Sequence, residues 1–118
     1  MWTQHDPVRL IMSQHRKYRG YRTQKVVADY LKQWYPHAES TGAGRQGADI
    51  TGVPYDIEVK ARTGFQPLEA IKQLKLRKSN KLGFVVMRMN GQGENAEDYM
   101  VCMRLKDFME FMEGQAYD

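Results

Sequence analysis

The stretch Gly47-Ala48-Asp49-Ile50-Thr51-Gly52-Val53-Pro54-Tyr55-Asp56-Ile57-Glu58-Val59-Lys60 anchors the reading of this chain. Ala48 to Thr51 reads as a strand, Thr51-Gly52-Val53-Pro54 as hairpin-turn chemistry, and Tyr55 to Lys60 as the strand that returns. Side chains alternate faces along a strand, so Ile57 and Val59 point into a core while Glu58 and Lys60 share the opposite face. Asp49, just ahead of the turn, converges with them. Two hard oxygen donors and one ammonium are expected at one place, and the backbone carbonyl of Val59 is a third oxygen beside them.

Working outward, helix and strand signals surround this hairpin. From about Tyr21 to Trp34 the spacing of Val27, Leu31 and Trp34, widened by Val26 and Tyr30, predicts a helix that Pro36 ends. Gln24 lies three residues before Val27, so its amide falls on or beside the apolar stripe. His37 to Thr41 is a short first strand. After the hairpin, residues 62–66 form a loop, and Pro67 suits the first turn of a second helix whose stripe is Leu68, Ile71 and Leu74. Phe84-Val85-Val86-Met87 is a continuous apolar run, expected of a strand covered on both faces. Residues 91–98 form a polar loop, Tyr99 to Met103 a fifth strand, and Leu105, Phe108, Met109 and Met112 a closing helix. This order predicts an α/β fold with a mixed central sheet flanked by helices.

At 118 residues with 42% hydrophobic and 27% charged residues, the chain is expected to be one domain spanning 1–118. Residues 1–19 form a basic N-terminal arm or helix, 20–90 the core, and 91–118 a C-terminal strand and helix. No apolar run approaches the length of a membrane span. The first residues, with Gln4, His5 and Asp6, lack the apolar core of a secretory signal. The one cysteine, Cys102, excludes an internal disulfide and a cysteine zinc cluster and fits a reducing cytoplasm. His5, His15 and His37 are scattered and read as surface residues, and the eight Met residues as core filling.

The net charge of +4 is unevenly spread. Seven Lys and Arg face two Asp and Glu over residues 1–34, nine face five over 35–90, and two face seven over 91–118. The basic excess therefore surrounds the candidate site, as expected for attraction of a polyanion such as nucleic acid. Arg16, Lys17, Arg19 and Arg22, with Tyr18 and Tyr21 between them, are expected to contact phosphates. Arg45 and Arg62, in loops flanking the site, are expected to do the same. Solvated loops and a soluble basic arm are the plainer alternatives.

Asp49 and Glu58 around a divalent cation, with Lys60 alongside, suit metal-assisted phosphodiester hydrolysis. An isolated Glu-x-Lys on a wet strand face is an ordinary ion pair, worth about 0–1 kcal/mol. Three features set this one apart: an Asp nine residues upstream across a turn, a lead-in containing Gly and Arg, and a Gln-bearing helix after the lysine.

With these additions the pattern resembles the PD-(D/E)XK nuclease signature. The run Ser40-Thr41-Gly42-Ala43-Gly44-Arg45, Gly47-Ala48-Asp49-Ile50 and Ile57-Glu58-Val59-Lys60 is similar to the core of archaeal and phage-encoded Holliday junction resolvases. The likeness covers roughly residues 20 to 90. It implies a restriction-endonuclease-like α-β-β-β-α-β core and a cytoplasmic enzyme of a prokaryotic cell or a phage-infected host. It also implies Mg2+, with Mn2+ as the alternative, held by Asp49, Glu58 and the Val59 carbonyl. Gln73, in Phe65-Gln66-Pro67-Leu68 and Ile71-Lys72-Gln73, takes the place of a helix Gln that positions the lysine or the phosphate.

One departure stands out. Where many members carry a Glu on the first helix, this chain has Gln24, a neutral donor, and Glu39 is a conceivable replacement. The implied activity is endonucleolytic cutting of a four-way DNA junction by a homodimer, with the Tyr- and Met-rich carboxy-terminal strand and helix as candidate interface. The alternatives are a RecB-like exonuclease, a restriction-type nuclease, or a non-catalytic DNA-binding module on the same fold.

Overall fold

The computed structural model describes residues 7–42, 47–61 and 66–116, with side chains over 18–42, 47–61 and 66–114. Its elements are α1 (Pro7–Leu31), β1 (Glu39–Ser40), β2 (Ile50–Thr51), β3 (Tyr55–Ala61), α2 (Pro67–Leu76), β4 (Leu82–Arg88), β5 (Met100–Cys102) and α3 (Leu105–Ala116). A single 3-10 turn, Ala96–Asp98, precedes β5. The chain is mixed α/β, as the order of periodic segments predicts. Among the described residues, no helix is long and apolar enough to cross a membrane.

β3 and β4 run parallel, with Glu58 opposite Val85 and Lys60 opposite Met87, and β5 is antiparallel to β4. α1 packs on β3 and α2 on β3 and β4. The strand alternation sorts the residues. Ile57, Val59 and Val86 pack with Val27 and Ala28 of α1, while Val85 and Met87 pack with Ala70 and Leu74 of α2. Val85, Val86 and Met87 are all buried, so β4 is the doubly covered strand expected from its unbroken apolar run. Glu58 and Lys60, in register with Val85 and Met87, therefore lie on the α2 side.

Several boundaries differ from the sequence reading. The basic arm from Pro7 onward and the first helix are one helix of 25 residues, about 37 Å long. Nothing interrupts it, because the solitary Gly20 has open space around it and no proline falls between Pro7 and Pro36. The helix stops at Leu31, so Trp34 lies beyond it. That ring is exposed and rests edge-on against Tyr30 at 5.3 Å instead of joining the core. In α2 the buried pair is Ala70 and Leu74, one turn apart, with Ile71 at its border, and Leu68 is 74% exposed. Pro67 does occupy the first turn. In α3, Leu105, Phe108, Met109 and Met112 form the expected stripe, yet all four are exposed.

The expected single sheet is two sheets, and the expected hairpin does not form a ladder: β2 pairs with β1 and not with β3. β1 and β2 make an antiparallel ribbon (Glu39 with Thr51, Ser40 with Ile50), separate from the three-stranded β3–β4–β5 sheet. The two meet through Asp49. Its backbone N–H donates to the Ile57 carbonyl at 3.0 Å, and its carboxylate Oδ2 accepts the Val59 N–H at 2.8 Å. A side chain stands where the next ladder bond would be. The ladder ends there because the aspartate has replaced it.

Candidate active site

The site is built on the outer edge of β3, the edge away from β4. Alternate residues of a strand direct both backbone groups to the same edge. The bonds of Ile57 and Val59 to Asp49 show that their N–H and C=O groups face outward here. The Val59 carbonyl thus shares an edge with the Asp49 carboxylate. Thr41 holds the other side of the aspartate: its N–H donates to the Asp49 carbonyl at 3.0 Å, and its hydroxyl lies 3.3 Å from that oxygen and from the Ala48 carbonyl.

Glu58 is 7% exposed, far from the solvated strand face of an ordinary Glu-x-Lys pair. Its Oε1 lies 3.1 Å from the Lys60 ammonium, and its Oε2 accepts from the Arg77 guanidinium. Burial pushes the Asp49 carboxyl up to about 6; the Val59 N–H opposes this, and the negative charge of Glu58 adds to it. Of the three residues singled out by spacing, Glu58 and Lys60 are paired on β3, and Asp49, just ahead of β2, is bonded to the same strand at Ile57 and Val59.

A partly buried aspartate with a raised pKa has a defined effect on stability. The folded chain holds this proton more tightly than the unfolded chain, so the group's contribution to stability falls as pH rises from about 4 to about 6. Asp49→Asn keeps an oxygen for the Val59 N–H and removes the buried charge. We expect it to raise stability at pH 8 by roughly 1–2 kcal/mol, solvent screening included, and to give no gain below about pH 4. Thermal midpoints measured in chelator at the two pH values check this. An equal shift at both would remove the buried charge as its cause.

Gln73 is exposed on α2 and lines a small cavity, about 30 Å³, together with Lys60, Gln66, Glu69 and Met87. It is thus adjacent to the lysine, as the motif implies. On α1, the Gln24 side-chain oxygen Oε1 is buried without a hydrogen-bond partner. The preceding residue, Thr23, accepts from Arg88 at 3.2 Å, and Arg88 is in register with Ala61. This turn of α1 therefore lies over the carboxyl end of β3, the end that carries Lys60. Glu39 is exposed, and among the described residues no group of three or more His, Cys, Asp or Glu side chains could hold a metal ion. β1 presents Glu39 to solvent.

Of the expected phosphate contacts, Arg22 is already engaged. Its guanidinium donates to both oxygens of Glu94, at 2.7 and 3.0 Å, across an exposed surface. This partner, 72 residues away, gave no local signal. Arg19 is half-buried on α1; Arg16 and Lys17 lie on the same helix, with side chains outside the described residues. Arg45 and Arg62 also lie outside the described residues. His37 is exposed, as expected.

Two participants escaped the sequence reading, Asp56 and Arg77. Asp56 is 4% exposed and receives the Arg77 fork through Nε at 3.3 Å and Nη2 at 2.8 Å. Arg77 caps the C-terminal end of α2 and also donates to the Gly47 carbonyl at 3.0 Å. Burial lowers the Arg77 pKa, and the bonds to Asp56 and Glu58 outweigh that, for a net rise. Asp56 was legible in principle, since it precedes Glu58 by two residues and shares its face. Nothing in the sequence around Arg77 distinguishes it from its basic neighbours. The chain matches no protein-family model, no curated protein and no solved structure.

Proposed function

We propose that this chain is a magnesium-dependent DNA endonuclease of the PD-(D/E)XK type, acting on four-way junctions, with a restriction-endonuclease-like core. The observation that carries the reading is the Asp49 carboxylate seated on the Val59 N–H, with Glu58 and Lys60 as the flanking residues of the same strand. Asp49, Glu58 and the Val59 carbonyl are hard oxygen donors. Such a set fits a magnesium ion, which takes few protein ligands and keeps several waters. When bound, the ion supplies charge neutralisation at the phosphate and a water of lowered pKa. Lys60, held by Glu58, offers its ammonium to charge developing on the phosphate. Gln73 borders the same small cavity as Lys60, and the role that fits it there is orienting the lysine or the phosphate.

A junction-cutting enzyme needs two sites related by symmetry. Met100, Val101, Leu105, Phe108, Met109 and Met112 on β5 and α3 form an exposed apolar face that supports self-association. The second reading, a DNA-binding module without catalysis, is favoured by one observation: cations already engage both oxygens of Glu58.

Purified protein incubated with a four-way junction, a flap and linear duplex, with and without magnesium, decides among these readings. Paired symmetric nicks on the junction in magnesium alone are the expected result. End-dependent loss of linear duplex would point to an exonuclease, and tight binding without any cutting to the module.

A further inference from the structure

Glu58 lies too deep to carry a bare charge beside Asp49 without a counterion. Lys60 serves one of its oxygens. The other is served by Arg77, whose guanidinium divides its donors unequally. Two N–H groups, from Nε and Nη2, form a fork on Asp56, while Nη1 alone reaches Glu58 and the Gly47 carbonyl. The fork is the bidentate, geometrically specified half of the interaction, and the single contact to Glu58 is the shorter one at 2.5 Å. Arg77 can therefore release Glu58 and remain neutralised and anchored by Asp56.

We propose that Arg77 is a placeholder cation for the site: it neutralises Glu58 while no divalent ion is bound and withdraws onto Asp56 when one binds. This rests on the metal-dependent reading above. It makes Arg77 a positioning residue that sets the affinity of the carboxylates for the ion, and Asp56 the anchor that makes withdrawal possible. A purely structural Arg77, tying the end of α2 to β3, predicts no effect on ion affinity beyond damage to the fold.

The test is Mn2+ titration of the full chain, followed by the loss of the free-ion electron paramagnetic signal. The proteins compared are wild type, Arg77→Met and the double variant Asp56→Asn/Arg77→Met. The double variant removes one positive and one negative charge, so the local net charge is unchanged. It also replaces a buried ion pair with neutral groups, which proteins tolerate far better than loss of one partner. It keeps the test alive if Arg77→Met alone does not fold.

With the placeholder gone, Mn2+ binding should tighten about tenfold in the double variant, and in the single variant if it folds. The Mn2+-induced rise in thermal midpoint should grow with it. Unchanged or weaker Mn2+ binding in a double variant with wild-type circular dichroism overturns the placeholder while leaving the metal reading intact. Absence of Mn2+ binding in every protein removes the metal reading, and this proposal with it.

Discussion

If the proposed magnesium-dependent cleavage is this chain's activity, Glu58→Gln is expected to lower its rate by about a thousandfold, the several kcal/mol that a metal's charge stabilisation is worth. The amide keeps the shape of the side chain and one acceptor oxygen but brings no charge to the ion. Of its two present partners, Lys60 at 3.1 Å and Arg77, one faces an NH2 group in the variant, at a stability cost of about 1–3 kcal/mol. DNA affinity is expected to stay within about threefold, because in the proposed reading the phosphate contacts fall to basic residues other than Glu58. Cleavage at saturating junction, together with filter binding, measures both quantities. A variant that still cuts at more than about a tenth of the wild-type rate would exclude Glu58 as a metal ligand.

Gly52→Ala is the second large effect, and it reaches the site through the backbone. Gly52 has φ +77°, a region that side-chain-bearing residues enter at a cost of about 1–2 kcal/mol. A Cβ there would stand 2.1 Å from the carbonyl oxygen of His37 and 2.6 Å from its carbon. Both are main-chain atoms at the entry to β1, so no rotamer change relieves the contact. The turn must open, and with it the β1–β2 ribbon that holds Asp49 against Val59. The expected loss is about 3 kcal/mol or more, a large part of the stability of an ordinary domain. Urea denaturation measures it, and junction cleavage should fall in parallel even where the variant is still folded. A loss below about 1 kcal/mol would show that the His37–Gly52 approach yields easily.

The two variants separate what could be read along the chain from what could not. Period-two alternation in Ile57-Glu58-Val59-Lys60 was enough to place a carboxylate and an ammonium on one face, because strand geometry is local. The turn residues Thr51-Gly52-Val53-Pro54 brought Asp49 back toward that strand for the same reason. The burial of Glu58 could not be read this way. Its environment is made by α2 and β4, and no window around residue 58 contains them.

Apolar periodicity also overstated the core. Trp34, Leu68 and Leu105 fall at helical spacing in an apolar stripe, and each is more than half exposed. A stripe states which face of a helix is apolar, while its packing depends on where the helix ends and what lies opposite. α1 stops at Leu31, before Trp34, and α2 presents Ala70 and Leu74 to β4 in preference to Leu68. The division into two sheets was equally hidden, since a side-chain carboxylate standing in for a ladder bond leaves no mark on strand propensity.

By itself the amino-acid order determined the α/β class, the turn that follows Thr51, and the approach of Asp49 to the strand carrying Glu58 and Lys60, all products of spacings shorter than a dozen residues. Only the tertiary structure decided that Arg77 and Asp56 close the site, that Arg22 is occupied by Glu94, and that the β5–α3 face is left open. Each of these joins residues far apart in the chain, or depends on a surface going uncovered. Long-range ion pairs and burial are properties of the packed whole, on which local propensity has no purchase.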